Sequence, residues 1–121
     1  MSGHFSHLYQ LSFSNLFSAP SQTPSGLTVN TLNTTQLLVA TWSPMNLANF
    51  DGDFLGYTLE IVLLRKGLHT PTSGNRFRFE LHPAVTRHEF VAEPGSEYQF
   101  SLLARNEHGT GPPDGPITAG K

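Results

Sequence analysis

From Leu27 onward, apolar side chains recur at every second position in short runs, and polar turn residues separate the runs. A period of two places alternate side chains on opposite faces of an extended strand, so each run predicts a strand with one face buried. Leu27 and Val29 alternate with Thr28 and Asn30. Leu38, Ala40 and Trp42 then face inward, with Leu37, Val39 and Thr41 opposite. Residues 55–64 place Leu55, Tyr57, Leu59, Ile61 and Leu63 on one face. Residues 76–81 alternate strictly: Phe77, Phe79 and Leu81 face in, while the charges of Arg76, Arg78 and Glu80 face water. Residues 86–91 offer Phe90 as the best inward side chain, and residues 98–104 offer Tyr98, Phe100, Leu102 and Ala104. A last short run is Ile117-Thr118-Ala119. Seven short strands and no helical stripe predict an all-β, seven-stranded antiparallel β-sandwich.

Turn residues fall where such a fold needs them. Pro94-Gly95 reverses the chain before the sixth strand, and Asn106-Glu107-His108-Gly109-Thr110-Gly111 reverses it afterwards. Asp51-Gly52 marks the sharpest bend of a long loop over residues 43–53, and Lys66 to Asn75 forms a hydrophilic break. Tyr98 follows the turn proline by four residues and leads an inward-facing run, the pattern of a tyrosine corner. In that motif the phenol packs inside and hydrogen-bonds a backbone group upstream.

Residues 1–24 differ. The first 17 carry no Lys, Arg, Asp or Glu, yet include Phe5, Leu8, Tyr9, Leu11, Phe13, Leu16 and Phe17. Their spacing fits both a strand and a helical stripe, and polar interruptions distinguish them from a signal peptide. Ser18-Ala19-Pro20-Ser21-Gln22-Thr23-Pro24 reads as an extended linker. The expected organisation is thus an extension over 1–24, which could mediate association, followed by one domain over 25–121, monomeric as a module.

Composition narrows the function. The chain has 121 residues and no cysteine, so disulfides and thiolate metal sites are excluded. Charged residues make up 13%, against about 25% in ordinary domains, and neutral polar residues take their place. The net charge of −2 argues against a nucleic-acid partner, and no apolar run reaches the ~20 residues of a bilayer span. His4 and His7 lack a third metal ligand within reach in the sequence. Asp51 and Asp53 supply two carboxylates where calcium takes about six to eight oxygens. Ser43, Ser96 and Ser101 lack a glycine-flanked nucleophile elbow. Neither a catalytic role, a cofactor nor a metal is expected.

These residues together resemble a fibronectin type III domain over about residues 24–120. The resemblance rests on Pro24 and Leu27, Trp42 with Pro44, Gly56-Tyr57, the corner from Pro94 to Tyr98, and Ala104, Asn106, Gly109, Gly111 and Pro112. It implies sheets ABE and C′CFG, with Trp42, Tyr57 and Tyr98 as structural core. Ala92 stands where the family usually has a leucine, so Phe90 or Val91 would fill that volume through a shifted register. Neither Arg-Gly-Asp nor Trp-Ser-x-Trp-Ser occurs. The resemblance implies a non-catalytic interaction and spacer module of a larger extracellular or cell-surface adhesion or receptor protein. The alternatives are an intracellular structural array and an accessory module of a secreted polysaccharide-degrading enzyme.

A protein partner would meet the loops. Met45, Leu47 and Phe50 are apolar residues in the long loop, which either cap the open end of the sandwich or form an exposed patch, and Asn106 and His108 lie in the turn expected beside it. Arg76 and Arg78, with Arg65 and Lys66, offer a second surface: a strip for an acidic partner or sulfated polysaccharide, or an edge strand protected by outward charge. Asn33-Thr34-Thr35 matches a glycosylation acceptor in a turn.

Overall fold

The computed structural model of the chain describes residues 18–32, 36–66, 70–71 and 75–120. The readings on His4, His7, Asn33 and the apolar residues of the first 17 lie outside the described residues.

Among the described residues nine strands follow one another: β1 (Thr28–Thr31), β2 (Leu37–Thr41), β3 (Gly56–Lys66), β4 (Thr70–Pro71), β5 (Arg76–Leu81), β6 (Arg87–Val91), β7 (Glu97–Asn106), β8 (Gly109–Thr110) and β9 (Asp114–Gly120). Seven of these are the expected strands A, B, C, C′, E, F and G; β4 and β8 are two-residue additions. One sheet has the order β1-β2-β6. In the other, β3 pairs with β7, β5 and β4 flank β3, and β8 and β9 flank β7. Every pairing is antiparallel. The fold is the two-sheet sandwich ABE on C′CFG, and the described residues contain no helix.

The strict alternation of β7 generates its burial, with every even position from Tyr98 to Asn106 buried. Phe100, Leu102 and Ala104 pack with Tyr57, Leu59 and Ile61 of β3, all fully enclosed. Leu38 and Ala40 of β2, Trp42 and Phe90 close the core from the other sheet. Trp42 stacks edge-on against Tyr57 at 5.5 Å between ring centres, and its indole N–H donates to the Val85 carbonyl at 3.1 Å. A buried indole therefore keeps its hydrogen bond, and the pair adds roughly 0.5–1.5 kcal/mol beyond its area.

The tyrosine corner is present. Tyr98 is buried, and its hydroxyl accepts the Glu93 N–H at 2.9 Å. The Ser96 N–H donates to the Glu93 carbonyl at 3.1 Å, closing the turn over Pro94-Gly95.

The structure corrects several details. Leu55, expected on the inward face, is 41% exposed because β3 begins only at Gly56. Gly56 has φ +124, and a Cβ there would overlap the Leu81 carbonyl oxygen, so only glycine fits. Val39, expected toward water, is buried, since β2 is the middle strand and Asn30 and Glu89 stand on either side of it. No register shift occurs in β6: Phe90 and Ala92 point in, and Val91 is 75% exposed. Phe77 reaches the edge and stays 38% exposed. The last strand is longer than expected, and the Asp114 carboxylate at its start accepts the Leu27 N–H at 3.0 Å.

The corner gives a direct test. Tyr98→Phe removes one acceptor and leaves the Glu93 N–H unpaired, so chemical denaturation should show a loss of about 1 kcal/mol. An unchanged unfolding midpoint would show that water replaces the phenol at no cost.

Candidate interaction site at the loop end

The loop between β2 and β3 and the turn between β7 and β8 meet at one end of the sandwich. Met45 in the first loop is half-buried against the core, and its N–H donates to the Tyr57 hydroxyl at 2.9 Å. Phe50 packs edge-on against Phe54, and Phe54 against Tyr57, both at 5.2 Å. These two candidates therefore cap the end of the core. Leu47 differs: it is 51% exposed, at the start of a tight turn in which the Phe50 N–H donates to its carbonyl at 3.1 Å.

Asn106, expected as a partner contact, is buried at 4% exposure, and its amide is already used. Its Nδ2 donates to the Ser18 carbonyl at 2.7 Å and the Asp51 carbonyl at 2.8 Å. Its Oδ1 accepts the His108 N–H at 2.7 Å. Asn106 is thus a clasp joining three segments. His108 stays on the exposed side of the turn. Beside it, Glu107 accepts the Asp53 N–H at 3.2 Å. Backbone N–H groups, its own first and that of Asp53 next, hold the Glu107 carboxyl below its ordinary pKa.

The clasp also holds residues 18–24, read as an extended linker, against the loop end. Asp51 accepts from both the backbone N–H and the hydroxyl of Ser21, at 3.0 and 2.8 Å. The Gln22 amide donates to the Asn49 carbonyl, and Pro20 and Pro24 are buried. A Cβ on Gly111 would overlap the Pro20 carbonyl oxygen, so this glycine admits the strap. Between strap and loop lies a cleft of about 230 Å³, lined by Gln22, Thr23, Ser25, Pro44, Met45, Asn46 and Ala48. No sequence pattern announced these contacts, because serine and proline serve equally in free linkers.

The basic strip is not a uniform cationic surface. Arg76 and Arg78 share a face, as expected, opposite Val62 and Glu60 of β3. Acids are interleaved with the bases: Arg78 pairs with Glu60 at 2.8 Å, Arg65 with Glu97 at 3.9 Å and Lys66 with Glu93 at 4.0 Å. Strand pairing sets Glu60 opposite Arg78 and Glu97 opposite Arg65, and Glu93 reaches Lys66 from the turn before β7, so Arg76 is the strip's one base with no ion pair among the described residues.

On the open side between β5 and β6, aromatic rings fill the seam. Phe77 meets Phe90 at 5.2 Å, and Phe79 lies on His88 at 4.5 Å. Desolvation pushes the His88 pKa below its ordinary 6.5, against the smaller opposing pull of Glu89.

The two antiparallel sheets and the tyrosine corner define a class of immunoglobulin-like sandwich modules. The model of the fibronectin type III domain matches residues 22–120, and the chain belongs to that family. Among solved structures, the third fibronectin III domain of the human KIAA0343 protein is similar at 21% identity and TM-score 0.71, over 100% of this chain and 92% of that one. The FN1–FN3 domains of chicken CNTN1 are similar at 18% identity and TM-score 0.67 over 84% of this chain, which spans 32% of that structure. The FN5 domain of Drosophila Lar is similar at 19% identity and TM-score 0.59, over 83% and 94%. No curated protein matches the chain.

Two outcomes follow from this geometry. Asn106→Ala removes the donor to the Ser18 and Asp51 carbonyls and the acceptor of the His108 N–H, and should cost about 1–3 kcal/mol, measured by denaturation. A silent substitution would mean that the clasp is dispensable. His88 is held below its unfolded pKa, so folding favours its neutral form; stability is present above about pH 6.5 and falls as pH drops through the lower folded value. Unfolding free energies measured from pH 7.5 down to about 5 should decline, and His88→Gln should flatten that decline.

Proposed function

We propose that this domain is a non-catalytic interaction and spacer module of a larger extracellular or cell-surface adhesion or receptor protein. Family membership supports the modular, non-catalytic role. The observation that carries the spacer reading is where the chain enters and leaves. Ser18 is clasped to Asn106 at one end of β7, while Gly120 pairs with Glu97 at the other. At ~3.3 Å per residue, the ten residues of β7 separate entry from exit by roughly 30 Å, so copies joined in series extend end to end. The surface low in charge and rich in neutral polar residues suits an extracellular setting. A protein partner would contact the loop end through Leu47 and His108, the candidates there that core capping and the clasp leave toward solvent.

The test is a tandem protein in which Gly120 of one copy is joined to Ser18 of the next. Small-angle X-ray scattering should show a maximum dimension larger by about 30 Å than that of one copy. Two copies folded side by side, with little gain in length, would overturn the spacer reading.

A further inference from the structure

We infer that the free edge of β5 is a self-recognition surface, which pairs antiparallel with β5 of a second copy about a two-fold axis through Phe79. Among the described residues β5 pairs only with β3, so its other side is an open edge. The Leu63 N–H donates to the Asn75 carbonyl at 2.9 Å, which marks that position as a hydrogen-bonded pair. Antiparallel ladders alternate, so the backbone groups of Phe77, Phe79 and Leu81 turn toward β3. Those of Arg76, Arg78 and Glu80 turn outward. A second strand gains hydrogen bonds only in registers that set outward residues opposite outward residues.

Charge then selects among those registers. A two-fold axis at Arg78 places Arg78 against its own copy, and an axis at Glu80 places two glutamates together; like charges directly opposite are unfavourable. An axis at Phe79 places Arg78 opposite Glu80 twice. Glu80 has no ion-pair partner among the described residues, and Arg78 would lie between Glu60 of its own chain and Glu80 of the copy. On the inner face the same register sets Phe79 against Phe79 and Phe77 against Leu81. That covers the seam where Phe77 is 38% exposed. A six-residue edge lies below the ~1,000 Å² of stable interfaces, so the association is weak and reversible.

The test uses the full chain in sedimentation velocity over a concentration series. Wild type should show a reversible dimer. Arg78→Glu and Glu80→Arg should each weaken it at least tenfold, which is about 1.4 kcal/mol, because each sets like charges opposite. An equimolar mixture of the two variants should associate again, since each supplies what the other lacks. The chain is free of cysteine, so a single thiol reports the register: Phe79→Cys should oxidise to a disulfide-linked dimer and Phe77→Cys should not. If Arg78→Glu unfolds through repulsion from Glu60, Glu80→Arg and the two cysteine variants decide the matter. A wild type that stays monomeric at every concentration, a dimer that survives Glu80→Arg, or equal cross-linking at Phe77 and Phe79 overturns the proposal.

Discussion

The pairing of β3 with β7 is the constraint on which the rest depends. Both strands are buried along their inner faces, and they run antiparallel from Gly56 opposite Arg105 to Arg65 opposite Glu97. Each brings a tyrosine at its start, so the pairing sends the two phenols to opposite ends of the molecule. Tyr57 lies beside Ala104 and binds the Met45 N–H in the loop above; Tyr98 lies beside Leu63 and binds the Glu93 N–H in the turn below. One hydroxyl therefore fixes the loop between β2 and β3, and the other fixes the approach to β7. Sheets, loops and ends are all referenced to this pair of strands.

Period two explains why so much of the fold was legible. A one-residue slip would move a whole apolar set to water, so strands as regular as β5 and β7 admit one assignment of faces. The places where the reading failed share a cause: they depend on what lies beside a residue in space. Leu55 fits the alternation of β3 but precedes Gly56, whose positive φ is set by the approach of the Leu81 carbonyl. Val39 belongs to a polar face by count, yet the middle position of β2 surrounds it. The loop end was the least legible. Met45 and Phe50 read equally as cap or as exposed patch because their segment lacks periodicity; the Tyr57–Phe54–Phe50 ring series and the Met45 N–H on the Tyr57 hydroxyl decide for the cap. Asn106 reads as a turn residue, and the carbonyls that occupy its amide lie 55 and 88 positions away.

Charge follows the same logic of neighbours. The bases around β3 and β5 are sparse, and β-pairing sets acids against most of them, so a sequence cluster becomes a mixed surface. Exposed pairs of this kind contribute little to stability, typically below ~1 kcal/mol. Their effect is on specificity: an edge carrying alternating signs repels most registers of an incoming strand and accepts few. The same side chains that protect the sheet from indiscriminate pairing therefore define the one partner strand that fits.

The strap changes what the loop end can offer. Loops on a sandwich are free to vary because the strands carry the fold, but here Asn106, Asp51 and Ser21 bind the entering chain to both loops. Ser18 and Ser21 are hydrogen-bonded directly to Asn106 and Asp51, with no intermediary side chain in either contact. The entering strap is thereby held against the same loop that displays Leu47. In a tandem chain, that makes the loop end a joint as well as a surface, and the order of the strap sets how stiff the joint is.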